Sequence, residues 1–119
     1  MTNEYIALYE RVNINNVTKK IDLIKKYINI NSSNNIKVFL DYENKKNKYH
    51  DFKFLIEELK NKKISKVIIH DFTSIPRKTG DYVNFLYELG DCKVYNFQDE
   101  EMIEFSLNPF RNLISNLEM

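Results

Sequence analysis

Apolar positions along the chain change period in a regular order. Residues 4 to 9 (EYIALY) form a short apolar and aromatic run, the pattern of a buried strand. Residues 16 to 30 then space Val17, Ile21, Ile24 and Ile28 at helical intervals with lysines between them, which predicts an amphipathic helix. The polar cluster NSSNN breaks that helix, and IKVFLDY at 36 to 42 reads as a second strand. After the lysine-rich stretch ENKKNK, residues 51 to 61 put Phe52, Leu55, Ile56 and Leu59 on one face, with Asp51 as N-cap. KVIIHDF at 66 to 72 is nearly continuous in apolar character, as suits a central parallel strand covered on both faces. Asp81 is placed to cap a helix through YVNFLYEL, Gly90 to end it, and CKVYNF at 92 to 97 to form the fourth strand.

Strands that alternate with helices through short connections predict right-handed crossovers. The expected fold is therefore a three-layer α/β domain with a mostly parallel four-stranded sheet over residues 1–98. Residues 99–119 read as a helical extension. Asn108 and Pro109 supply a cap and a first helical residue, and Phe110, Leu113, Ile114 and Leu117 form an apolar stripe that docks on the domain or on a partner chain. No second domain is expected.

Composition narrows the chemistry. In 119 residues there are two glycines, Gly80 and Gly90, and two prolines, too few for a phosphate-cradling glycine loop or a dinucleotide turn, so a nucleotide cofactor is not expected. The single cysteine, Cys92, and two histidines fall short of a metal site and exclude an internal disulfide. Cys92 reads as a small buried hydrophobe, and His70, on an apolar strand, as a core histidine. The acid near the N-terminus and the lack of a long apolar run predict a cytoplasmic chain outside the membrane.

The formal charge of +1 gives no strong attraction to a polyanion, so contact with a DNA backbone would be weak and non-specific. Only three basic residues are arginines, against fifteen lysines. In a parallel sheet ligands meet the carboxyl ends of the strands, where Arg11 and Arg77 fall. Each offers a rigid donor fork for phosphate, or pairs locally with Glu10 or Asp81.

Tyr9-Glu10-Arg11-Val12-Asn13, following the first strand, resembles the Tyr-x-Arg-Val-Ser segment of serine recombinases, the resolvase and invertase family. The layout of that family continues in order. Asp41 to Phe52 resembles its strand, Asp and loop leading to a second helix. Phe72-Thr73-Ser74-Ile75-Pro76-Arg77 lies where the family carries Leu-Asp-Arg-Leu-x-Arg, and Gly90 precedes a fourth strand. The resemblance implies a resolvase-like catalytic-domain fold. It also implies loss of catalysis, because Asn13 stands where the family has its nucleophilic serine, Tyr49 where it has an arginine, and Thr73-Ser74 where it has an Asp-Arg pair. An amide has no hydroxyl oxygen with which to form a phosphoester. Arg11 and Arg77 remain as phosphate contacts.

The resulting expectation is a catalytically inactive, accessory or regulatory domain that needs no cofactor or metal. It would pair with itself or a related recombinase, or touch a DNA backbone. Two other readings remain open: a receiver-like signalling domain with Asp71 as phosphoacceptor, and a pure protein-binding module.

Overall fold

A computed structural model describes residues 4–31, 35–43, 49–70, 74–76, 80–97 and 101–103. The first strand, β1, runs from Tyr5 to Val12, three residues past the expected end, and leads into helix α1, Val17–Ile30. Strand β2 is Ile36–Tyr42, α2 is His50–Lys60, β3 is Ile64–Ile69, α3 is Gly80–Leu89 and β4 is Lys93–Asn96. A two-residue strand, β5, follows at Met102–Ile103.

The sheet order is β2-β1-β3-β4-β5, with β1, β2, β3 and β4 mutually parallel and β5 antiparallel to β4. Among the described residues the sheet therefore has five strands where four were expected, and it extends past residue 98 to Ile103. Two residues with one apolar side chain per face are too short to show a period of two, so β5 left no pattern to read.

Alternation along the strands sorts the core into two layers. Ala7 and Tyr9 of β1 and Val67 and Ile69 of β3 pack with Phe52, Leu55 and Leu59 of α2 and Phe85, Leu86 and Leu89 of α3. Leu8 and Ile68 point to the other face and meet Ile24 and Tyr27 of α1, together with Phe97. β3 is thus the central strand covered on both sides, as its apolar run predicted. Phe52 is fully buried between Tyr9 and Phe85, with ring centroids 5.3 and 5.2 Å away. Truncating such a side chain costs about 3–5 kcal/mol.

Two details depart from the helical pattern. On α1 the buried residues are Ile24 and Tyr27, while Ile21 and Ile28 are half-buried. On α2, Glu58 is buried on the apolar side, where its Oε1 accepts the Tyr5 hydroxyl at 2.8 Å and Lys37 and Lys63 approach to 3.7 Å. That donor set compensates the desolvated carboxylate. Gly90 has φ of 55°, the left-handed conformation expected of a residue ending α3. α3 begins at Gly80, so Asp81 lies within its first turn and not at the cap position. No helix among the described residues is long and apolar enough to cross a membrane.

Candidate functional site at the carboxyl ends of β1 and β3

The strands that supply chemistry-bearing residues end together on one edge of the sheet. β1 and β2 pair in register from Ile6↔Ile36 through Arg11↔Asp41, and β1 pairs with β3 through Tyr9↔Ile69. Glu10, Arg11, Asn13, Asp41, His70 and Ser74 are brought to this edge by that register.

Asn13 organises the turn between β1 and α1. Its Oδ1 accepts the backbone N–H groups of Asn15 at 2.9 Å and Asn16 at 3.1 Å, and Asn16 Oδ1 accepts the Asn13 N–H at 2.8 Å in return. The Asn13 Nδ2 donates to Glu43 Oε2 at 3.2 Å. An asparagine whose side chain bonds the backbone two and three residues ahead stabilises a turn into a helix. Both ends of this amide are engaged in structure.

Glu10 is fully buried and occupies the centre of the edge. Its Oε1 accepts the Arg11 backbone N–H at 2.9 Å, the Ser74 hydroxyl at 2.9 Å and the Lys20 ammonium at 3.2 Å. Lys20 Nζ also donates to the Arg11 carbonyl oxygen at 2.7 Å. The second oxygen, Oε2, is buried without a hydrogen bond among the described residues and lies 3.5 Å from His70 Nδ1. The His70 ring stands edge-on to Phe97 at 5.1 Å. His70 is therefore a half-buried neighbour of a carboxylate and not the core histidine expected. Ser74, also buried, spends its hydroxyl on that same carboxylate.

Arg11 turns away from Glu10's acid oxygens. Its guanidinium lies 5.2 Å from the centroid of the Tyr49 ring, and its Nε is buried with no hydrogen-bond partner among the described residues. Tyr49 thus offers its π face to the Arg11 cation. The ion pair with Glu10 considered from sequence is not formed; the Glu10 carboxylate takes the Arg11 backbone instead.

Asp41 explains the start of α2. Its Oδ1 accepts the Asp51 N–H at 2.7 Å, and its Oδ2 accepts the Phe52 N–H at 2.9 Å and the Tyr9 hydroxyl at 2.7 Å. The cap thus comes from β2, while Tyr49 at the formal cap position makes no side-chain cap bond. Asp51, expected as the cap, lies in the first turn and sends Oδ2 to the Leu40 N–H at 2.7 Å, tying α2 to the edge strand. Burial and the adjacent Asp41 carboxylate hold the Tyr9 hydroxyl well above the usual tyrosine range.

Sequence reasoning named Asn13, Tyr49, Ser74 and Arg11 but passed over Glu10 and Lys20 as members of a site. Two signals were available. Alternation puts Glu10 on the same side as Leu8, where an acid needs buried donors, and Lys20 sits in the first turn of α1, where the helix dipole disfavours a cation. Cys92 is half-buried, and burial pushes its thiol up to about 11. Asp71, Thr73, Arg77, Phe110, Leu113, Ile114 and Leu117 lie outside the described residues. Among the described residues no cluster of His, Cys, Asp and Glu could hold a metal ion.

No protein-family model matches the sequence, and no curated protein matches it. Among solved structures, the fold is similar to the crystal structure of the N-terminal catalytic domain of TP901-1 integrase. The TM-score is 0.58 at 16% sequence identity, and the match covers 95% of this chain and 92% of that one. At this identity the likeness is one of fold: the chain has a mostly parallel α/β fold like that of a serine recombinase catalytic domain.

Proposed function

We propose that this protein is a non-catalytic member of the serine recombinase architecture. It would serve as an accessory or regulatory domain through pairing with itself or with a recombinase, or through weak contact with a DNA backbone. The observation that carries the reading is Asn13. It follows β1 where the resemblance places the attacking serine, and its amide is bonded at both ends to the turn that starts α1.

Phosphoryl transfer needs a nucleophile and donors that stabilise charge spreading over phosphate oxygens. Asn13 supplies no attacking oxygen. Tyr49 offers a ring that already receives Arg11, and Ser74 donates to Glu10. The buried Glu10 carboxylate adds negative charge at the strand end where a phosphodiester would approach, which opposes its binding.

The reading is tested by incubating the protein with supercoiled and linear DNA and running the products on a denaturing gel. Unbroken DNA and free protein are expected, and a protein-linked DNA product would overturn it. Titration with duplex DNA at low and moderate salt should show weak binding that disappears as salt rises. The pairing role predicts a mass in solution above that of one chain, alone or with a recombinase. Leu113→Glu tests whether the apolar stripe of residues 110, 113, 114 and 117 supports it.

A further inference from the structure

Three hydrogen-bond donors converge on Glu10 Oε1 at the carboxyl ends of the strands, and His70 stands beside Oε2. The donors are the backbone N–H of Arg11, the hydroxyl of Ser74 and the ammonium of Lys20, while His70 Nδ1 lies 3.5 Å from Oε2. The donors come from β1, from the segment after β3 and from α1, and His70 directly follows β3. A backbone N–H, a hydroxyl and a cation directed at one point make the donor set of an oxyanion site. Here the oxyanion is the protein's own.

We propose that this edge of the sheet is an oxyanion-binding site, and that Glu10 is its built-in occupant, closing it to phosphate. The proposal goes beyond the non-catalytic reading and does not depend on it, because it concerns binding and not strand transfer.

Three observations support it. Glu10 is 0% exposed, yet Oε2 has no hydrogen bond among the described residues, which leave part of the carboxylate's acceptor capacity unused. The Lys20 and His70 side chains that border the carboxylate each remain 22% exposed, so the site lies just beneath the protein surface. Finally, Lys20 is also held by the Arg11 carbonyl at 2.7 Å, which keeps the ammonium in place when the carboxylate is removed. The ligand chemistry is that of a phosphate oxygen, whether from a free inorganic ion or a phosphodiester.

Removing the carboxylate should convert an internal ligand into an external one. In the full chain, Glu10→Ala leaves the Lys20 charge, the Ser74 hydroxyl and the Arg11 N–H without their acceptor, so the variant should melt below wild type. Added inorganic phosphate should refill the site, as should formate, which restores a carboxylate of minimal size. At constant ionic strength with chloride as reference, the variant should gain about five degrees in Tm once either anion reaches roughly ten times its Kd. Wild type should show no saturable gain, and Glu10→Ala/Lys20→Met should lose the response.

If Glu10→Ala is unfolded in chloride, circular dichroism during phosphate titration reads the same equilibrium, and refolding is the expected result. A short DNA duplex in place of phosphate separates the two sources. A gain in affinity that disappears with Lys20→Met assigns the site to phosphodiesters, and a response to inorganic phosphate alone assigns it to a free ion. An anion response equal in wild type and Glu10→Ala, or absent from the variant in both the melting and the refolding measurement, overturns the proposal.

Discussion

The Tyr9 hydroxyl donates to Asp41 Oδ2 at 2.7 Å across two neighbouring strands, and the same carboxylate accepts the first free N–H groups of α2. One buried acid therefore joins β1, β2 and α2. A carboxylate 3% exposed is tolerated in a hydrophobic layer because three donors replace its water.

Asp41→Ala should destabilise the fold by about 3 kcal/mol, because it removes a helix cap and leaves the Tyr9 hydroxyl buried without an acceptor. Tyr9→Phe leaves the carboxylate with both backbone donors and should cost about 1 kcal/mol. Urea titrations of the single and double variants read the coupling directly, and the double variant should be more stable than the sum of the two losses predicts.

Stability should decline at alkaline pH. Burial, reinforced by Glu58 at Tyr5 and by Asp41 at Tyr9, makes both hydroxyls hold their protons more tightly in the folded chain than in the unfolded one. The unfolded chain gives up these protons first as pH passes the ordinary tyrosine range near 10, so it gains stability relative to the folded state. Stability is therefore fully present below about pH 9 and falls above about pH 10. The Tyr9→Phe variant should show a shallower decline in melts recorded across this range.

Cys92 is a reporter of the same effect. Its thiol is pushed from the ordinary 9.0 to about 11, first by burial and second by the negative charge of Glu4. At pH 8 the thiolate fraction should be about a hundredfold below that of an exposed cysteine, and alkylation by iodoacetamide should slow accordingly. Denaturant should restore the ordinary rate. The linked stability is present below pH 9.0 and is lost as pH rises toward about 11. A fast-reacting thiol in the folded protein would show that Cys92 is more exposed than its packing against the core.

Asn13 should tolerate serine better than alanine. Ser keeps an oxygen able to accept from the turn N–H groups, so Asn13→Ser should stay within about 0.5 kcal/mol of wild type, whereas Asn13→Ala should cost about 1 kcal/mol. Restoring the hydroxyl should still yield no covalent DNA product. Tyr49 and Ser74 remain where the resemblance implies charged groups, and Glu10 still holds the strand end. Chemical denaturation and the denaturing gel check the two halves of this expectation.

Much of this architecture was legible in the chain's own pattern because it rests on local periodicity. The apolar run KVIIHDF specified a doubly covered strand, the spacing of Phe52, Leu55 and Leu59 specified the buried stripe of α2, and Gly90 marked the end of α3 through a left-handed conformation that costs glycine little and other residues more. The order of these elements was enough to set strands and helices in three layers. Glu10 and Asp41 show what local pattern could not supply. Apart from the Arg11 N–H beside Glu10, the donors to these acids lie 10 to 64 positions away, brought together only when strands align in register and helices pack on them. Periodicity reports which face a side chain takes. The partners waiting on that face are decided by tertiary packing, because hydrogen bonds and ion pairs act over about 3 Å in space, whatever the separation along the chain.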